Sequence, residues 1–463
     1  MKSKSKGKSK SIGTPKTQKS VSVPVIHEHA AGIDVGSRSH YVAVGQNLEE
    51  DVREFGVFDS DLRECSHWLK SRGVTTVAME STGSYWQNLY DVLIESGFEV
   101  LLACGRQTKN MEFKTDAKDC RWIQFLHSVG LLTSSFLPDL DTEELRTLYR
   151  HRDFLLKQAA KYICKMQKSL RLMNFRLDVV LSDITGLSGQ AIIGAIISGV
   201  RDPEQLASLA HYNVKASKEE IARALSYNGR VDYMYELSDS FDIYQSYIQR
   251  IEACEKKMEE LLRSQIVKLG KPQTNPPSLE HKKRVNKNSP KIPLEKLSWQ
   301  WNNEVNLMAI PGVSYSTVLT IISEVGLSIY KFATAKDFAS WMCVSPNNRI
   351  TGGKIISSHL RKGSNRVAAA LRHAADSIGR QKDAPLYPFF QRILHRKGRC
   401  AAIIATAHKL AVIIWNMLTK NEAYKPYDTT KIESQIREKQ IKKINKLMKV
   451  FDVKISEINL APV

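Results

Sequence analysis

Residues 31–46 read AGIDVGSRSHYVAVGQ. Two short runs of β-branched and small apolar residues flank a Gly-Ser turn, which is the pattern of two strands joined in a hairpin. VREFGVF (52–58) supplies a candidate third strand, and DSDLRECSHWLKSRG (59–73) has helical periodicity. TTVAMEST (75–82) is a β-branched strand, GSYWQNLYDVLIESG (83–97) an amphipathic helix, and FEVLLAC (98–104) another apolar strand. KTDAKDCRWIQFLHSVGLL (114–132) then reads as a helix.

Three strands, helix, strand, helix, strand, helix is the element order of a ribonuclease-H-like fold, an α/β mixed sheet flanked by helices. The acidic residues fall at its informative places. Asp34 ends the first strand, and Glu80 ends the strand TTVAME just before STG opens the next helix. Asp116 and Asp119 are three apart, so they share one face of a helix. Four carboxylates brought together need a countercharge. Mg²⁺ accepts oxygen ligands, and two such ions roughly 4 Å apart can clamp an in-line displacement at phosphorus. Lys114 and Lys118 flank the helical pair and are candidates to meet phosphate. Each acidic residue alone is an ordinary solvated or capping residue; the order and the elements they terminate make the case.

Beyond residue 140 the pattern becomes helical. TEELRTLYRHRDFLLKQAAKYICKMQKSLRLMNF (142–175) and SDSFDIYQSYIQRIEACEKKMEELLRSQIVKLG (238–270) are long, with few breakers. Two such helices predict an antiparallel coiled coil, or else ordinary amphipathic packing on the first domain. The sequence divides into a basic tail (1–25), an α/β domain (26–140), a helical coiled-coil region (141–270), a proline- and lysine-rich linker (271–298), a mainly helical domain (299–424) and a basic C-terminal helix or tail (425–463). The first tail has no acidic residue and reads as disordered.

The chain has 463 residues and a net charge of +20, with pI ≈ 9.5. That excess favours polyanionic partners, nucleic acid first. Seven widely spaced cysteines without a CxxC pair fit neither a disulfide framework nor a zinc ribbon. They point to a reducing cytoplasm. No uninterrupted apolar run of about 18 residues is present, so no membrane span is expected.

The helical domain carries its own signals. IPGV (310–313) before a helical run has the form of a helix-hairpin-helix turn, whose backbone amides can hold phosphate, although Ser314 stands where a second glycine is usual. A Pro-Gly turn between core helices has the same form. SPNNRITGGK (345–354) is a candidate loop of close backbone approach. Lys354, Arg361, Lys362, Arg366 and Arg372 follow it, and are either phosphate contacts or a solvated basic face. His408 in ATAHKL could transfer protons or serve the core.

These segments resemble the DEDD transposases of bacterial insertion sequences, the insertion sequence 110 family. GIDVGSRSHYVAV, MESTGSYWQNLY and KTDAKDCRWIQFL are similar to the three amino-terminal motifs. AIPGVSYSTVLTIISEVG, KFATAKDFASWMCVSPNNRITGGK, LRKGSNRVAAALRHAA and ATAHKLAVIIWNML are similar to the carboxy-terminal domain, so the likeness covers roughly residues 28–424. It implies a ribonuclease-H-like (resolvase-like) domain, a coiled-coil insert and a mainly helical transposase domain. It also implies site-specific DNA recombination that excises and inserts an element, in the cytoplasm and at the nucleoid of a bacterium. It implies Mg²⁺ at Asp34, Glu80, Asp116 and Asp119, donor and target DNA, a structured guide RNA, and a homo-oligomer, dimer or tetramer, in which domains of different copies complete a composite site.

The family's nucleophilic serine corresponds to Thr351 here. A threonine hydroxyl can attack phosphorus, but its methyl group restricts approach. Ser345, Ser357 and Ser358 are rival hydroxyls, and a chain without a covalent nucleophile is a further reading. Two other functions compete: a metal-dependent junction-resolving nuclease that cuts without rejoining, and a catalytically silent nucleic-acid-binding protein.

Overall fold

The structure is a computed structural model that describes residues 23–45, 51–108, 115–279, 283–361, 363–426 and 430–451. The chain divides into two compact units, 1–137 and 138–463.

The first unit is a five-stranded sheet with helices on both faces. Its strands are β1 (Ala30–Val35), β2 (His40–Val44), β3 (Val52–Phe55), β4 (Thr76–Glu80) and β5 (Glu99–Ala103). Their spatial order is β3-β2-β1-β4-β5. β2 runs antiparallel to β1 and β3, while β1, β4 and β5 are parallel. The helices are α1 (Asp59–Ser71), α2 (Gln87–Glu95) and α3 (Asp116–Ser128). The expected mixed sheet and element order are therefore present.

Side-chain alternation along the strands decides which residues meet which helix. Ile33, Val35, Val42, Val44, Val77 and Met79 point to one face and bury against Leu62, Cys65 and Leu69 of α1 and Leu89 and Leu93 of α2. Burying each such side chain contributes about 1.5–3 kcal/mol. The alternate positions Ala78 and Ala103 face Ile123 and Leu126 of α3. Small residues on that second face let α3 sit close. Gly32 is the extreme case, because a Cβ there would lie 2.5 Å from the Cys120 carbonyl oxygen.

The second unit is helical. α4 (Leu140–Leu172) and α9 (Met234–Lys268) pack as a long hairpin, with α5 (Leu177–Val180), α6 (Leu187–Ile197), α7 (Pro203–Ser208) and α8 (Lys218–Ala224) between them. The cross-contacts run in opposite directions along the two helices. Asp141 bonds Gln265 and Lys268, Arg152 bonds Glu255, and Ser169 bonds Glu236. The hairpin is thus antiparallel. The proline-rich stretch lies along this hairpin as a strap: Asn288 accepts a hydrogen bond from Arg152, Lys291 bonds Glu252 and Glu255, and Lys287 pairs with Asp183.

The remaining helices are α10 (Leu294–Trp301), α11 (Tyr315–Glu324), α12 (Ala335–Trp341), α13 (Arg366–Ile378), α14 (Tyr387–Lys397), α15 (Arg399–Lys420) and α16 (Thr430–Phe451), with a hairpin of β6 (Arg349–Thr351) and β7 (Lys354–Ser357). α15 is long and apolar enough to cross a membrane by length and composition. Here it serves as a core helix: Ala402, Thr406, Ala407, Leu410, Ala411, Ile414 and Met417 are buried, and Trp415 donates to the Phe332 carbonyl. All seven cysteines are free thiols.

Candidate functional site

Strand register places Asp34, Glu54 and Glu80 on neighbouring strands of the first unit. Asp34 pairs with Tyr41 across β1 and β2, and Tyr41 pairs with Glu54 across β2 and β3. On the other side Ile33 is level with Met79. One step further along the two parallel strands, Asp34 comes level with Glu80. Both carboxylates occupy the alternate positions that face α3, because their neighbours Ile33 and Met79 point into the opposite core.

α3 brings the other two. Thr115 is its N-cap in an extended conformation, and Asp116 and Asp119 occupy the first turn, where the helix dipole favours negative charge. The close packing of Gly32 on the Cys120 and Gln124 backbone fixes this turn over the end of β1. Two electrostatic effects report the proximity. Burial pushes the Cys120 thiol up to about 12, and Asp34 adds to the rise. Tyr41 is held above the ordinary phenol range mainly by its hydrogen bond to Glu54, with Asp116 among the smaller causes.

Each carboxylate is held differently. Glu80 accepts from Thr82 Oγ1 at 2.8 Å and from Thr108 Oγ1, and Gly105 leaves it room, since a Cβ there would stand 2.6 Å from Glu80 Oε1. Asp119 has a buried oxygen, Oδ1, with no hydrogen-bond partner among the described residues. A carboxylate oxygen withdrawn from water without a partner is costly unless a cation reaches it. An all-oxygen set with one such orphan suits a hard divalent cation. Among the described residues, however, no three acidic or histidine side chains close into a ready-made ligand set. Mutual repulsion without a countercharge opposes closer approach, and Thr82 and Thr108 each donate to Glu80 where it stands.

The register also brings in residues that the sequence reading passed over. Tyr41, Glu54, Thr82 and Thr108 border the carboxylates. Ser39 and Tyr41 hydrogen-bond Glu54 and lower its pKa. Strand pairing is the signal that finds them, and a single sequence does not display it. Lys118 is exposed beside Asp119, and Lys114 lies outside the described residues.

In the second unit, SPNNRITGGK forms a β-hairpin. Thr351 and Lys354 are the closing pair, and Gly352 and Gly353 have φ of 55° and 74°. Two successive positive-φ residues make the I′-type turn that matches strand twist, and glycine adopts it without strain. Thr351 and Lys354 are therefore exposed at the tip. Ser357 sits at the base opposite Arg349, with Ser345 half-buried before it and Ser358 exposed after it. The IPGV turn packs inward. A Cβ at Gly312 would stand 2.7 Å from the Ala374 carbonyl of α13, and Ser314 caps α11 by accepting from Thr317 N.

The basic candidates separate. Arg366 opens α13 and pairs with Asp153 at 2.6 Å and Glu324 at 3.6 Å, so its charge is engaged within the fold. Arg372 donates to the Ala368 carbonyl, and Arg361 to Ser340 Oγ. Lys362 lies outside the described residues. His408 has its pKa lowered, chiefly by burial and then by Lys409.

The sheet order and its flanking helices are those of a ribonuclease-H-like fold of the DEDD class. Residues 31–175 match the transposase model of that DEDD class, and residues 305–390 match the model described as transposase IS116/IS110/IS902 family. The chain belongs to this insertion sequence 110 family of transposases, with the DEDD domain first and the second transposase domain after it.

The transposase for insertion sequence element IS1111A of Coxiella burnetii is 28% identical over 123 residues, which is 26% of this chain and 34% of that protein. A Pseudomonas aeruginosa protein named "Probable family 20 transposase" is 26% identical over 124 residues, 26% of this chain and 36% of its own. The aligned stretch thus spans about a third of the length of these curated relatives.

Proposed function

We propose that the chain is a DNA recombinase that excises and inserts an insertion sequence, with Asp34, Glu80, Asp116 and Asp119 holding two Mg²⁺ ions. The observation that carries the proposal is the shared face of Asp34 and Glu80 at the ends of adjacent parallel strands, covered by the first turn of α3. Asp34, Glu80, Asp116 and Asp119 would hold the cations, which would supply neutralisation of phosphate charge and activation of an attacking oxygen. Thr82 and Thr108 orient Glu80, and the α3 N-terminus steadies Asp116 and Asp119.

Thr351 is the proposed nucleophile. Its Oγ forms a bond to the scissile phosphorus as a deoxyribose oxygen leaves, and attack by the incoming strand's oxygen releases it. The exposed closing position of a tight hairpin supports the assignment, and Lys354 across from it is placed to meet the same phosphate. The reading includes a composite site completed by domains of different copies in a homo-oligomer, which the family resemblance implies. Guidance by a structured RNA and action in the cytoplasm, at the nucleoid, are parts of the same proposal and rest on the family resemblance.

The test is a strand-transfer assay with separately marked donor and target DNA, using the full chain and the RNA that copurifies with it. Joined product that requires Mg²⁺ and disappears in Asp34→Asn is expected. Cleavage without joining would return the reading to a junction-resolving nuclease. DNA binding with neither reaction would return it to a silent binding protein.

A further inference from the structure

The β6–β7 hairpin carries three isoleucines that no core covers. Ile350, Ile355 and Ile356 are 60%, 60% and 69% exposed. Ile350 and Ile355 are cross-strand partners, so they stand side by side on one face. Thr351 and Lys354, one position nearer the turn, point to the other face. The register shift between Arg349 and Ile350 makes Ile356 an extra residue on its strand, and such a bulge re-aims the side chains around it. A two-stranded ribbon has no second layer of its own to bury an apolar face. Exposed aliphatic residues grouped on a protruding element mark contact with a partner.

The charge around the hairpin indicates the partner's chemistry. Residues 338–375 contain Arg349, Lys354, Arg361, Lys362, Arg366 and Arg372 and no aspartate or glutamate. Arg349 and Lys354, within the hairpin itself, are exposed and form no ion pair with a carboxylate among the described residues. An apolar hairpin face framed by uncompensated positive charge suits a polyanion that also offers apolar faces. Duplex DNA does so at an opened base step, where isoleucine is one of the side chains able to wedge between bases while cations hold the flanking phosphates.

We infer that the β6–β7 hairpin is a DNA wedge: Ile350, Ile355 and Ile356 insert at a disrupted base step, with Arg349 and Lys354 on the neighbouring phosphates. The inference rests on the recombinase reading for its DNA partner, and it assigns the isoleucines a task separate from the chemistry of Thr351. Opening the stack costs energy, so DNA already weakened at one step is the preferred ligand.

The test uses the full-length chain in EDTA, so that binding is read without cleavage. The probes are a short fully paired duplex and the same duplex with a central mismatch flanked by 2-aminopurine. The wild-type chain is expected to bind the mismatched duplex about tenfold more tightly and to raise 2-aminopurine fluorescence. In the triple variant Ile350→Ser, Ile355→Ser, Ile356→Ser, affinity for the paired duplex stays while both the preference and the fluorescence rise disappear. Ile350→Leu with Ile355→Leu keeps them, and circular dichroism confirms the fold of each variant. Binding by wild type without the preference, or a preference that survives the triple variant, overturns the wedge and leaves the recombinase reading intact. Failure of the wild-type chain to bind any DNA overturns both. A change of mass by light scattering in the triple variant means that the isoleucines face another copy of the chain, and also overturns the wedge.

Discussion

Gly32 of β1 lies directly beneath the backbone of Gln124 and Cys120 in α3, so closely that a Cβ at position 32 would overlap the Gln124 amide nitrogen and stand 2.5 Å from the Cys120 carbonyl oxygen. The colliding atoms are backbone, which cannot turn aside as a flexible side chain can. Gly32→Ala must therefore push α3 off the sheet. A loss of about 1–3 kcal/mol in thermal or urea unfolding is expected from overpacking. Divalent-cation affinity should fall with it, since Asp116 and Asp119 move with the helix.

Asp119 buries one carboxylate oxygen without a partner. Without metal, Asp119→Asn should be at least as stable as the parent, because the partnerless buried oxygen then belongs to a neutral amide. With Mg²⁺ or Mn²⁺ the order should reverse. A ligand at a hundredfold excess over its Kd stabilises by about 2.7 kcal/mol, and the variant forfeits that gain. Differential scanning fluorimetry with and without cation reads both arms. An unchanged cation response in Asp119→Asn would remove this residue from the site.

Arg152 and Glu255 join the two long helices with side chains 5% and 4% exposed. Glu255 also accepts from Lys291 N, and Arg152 donates to the Asn288 carbonyl. Removing one partner strands the other charge, so Arg152→Met is expected to cost about 3–5 kcal/mol, whereas Arg152→Met with Glu255→Leu recovers most of it. A double-mutant cycle by denaturant unfolding measures the coupling.

His127 is buried, bonds Thr76 Oγ1 at 2.9 Å and stacks on His27 at 4.9 Å. Burial, with His27 adding to it, pushes its pKa down to about 4 from 6.5. The folded chain holds this ring neutral while the unfolded chain protonates it near its ordinary value. Its contribution is therefore constant above pH 6.5 and declines as pH falls from 6.5 towards 4. Over that window His127→Gln should show a shallower loss of stability than the parent. Parallel slopes would place the acid sensitivity elsewhere.

Thr351 is exposed at a hairpin tip, so its replacement should leave stability within about 0.5 kcal/mol. Thr351→Ser is expected to keep strand transfer and Thr351→Ala to abolish it. Full activity in Thr351→Ala would move the nucleophile to Ser357 or Ser358, or remove the covalent step.

Much of this arrangement was legible in the chain itself. Strand alternation in GIDVGSRSHYVAV and TVAME, and helical periodicity after Asp116, place the four acidic residues at element ends, because local sterics and amphipathic burial set those elements. The long helices flanking residues 173–233 were legible for the same reason. The Gly-Gly pair, read as a loop, was the mark of a tight hairpin turn. The strapped proline-rich stretch was less visible, because its hydrogen bonds to Arg152, Glu252 and Glu255 join residues far apart in sequence.

By itself the sequence determined which residues could carry the chemistry: four carboxylates at the ends of their elements, a hydroxyl before two glycines, and a surplus of positive charge. Only the tertiary structure decided their company. Register set Glu54, Tyr41 and Asp34 in one row with Glu80 beside it, and the absence of a side chain at Gly32 let α3 pack its backbone directly on β1. Packing likewise turned Arg366 towards Asp153 and left Ile350, Ile355 and Ile356 uncovered. Local pattern fixes an element and the direction of its side chains, but what each one meets depends on pairings across distant parts of the chain.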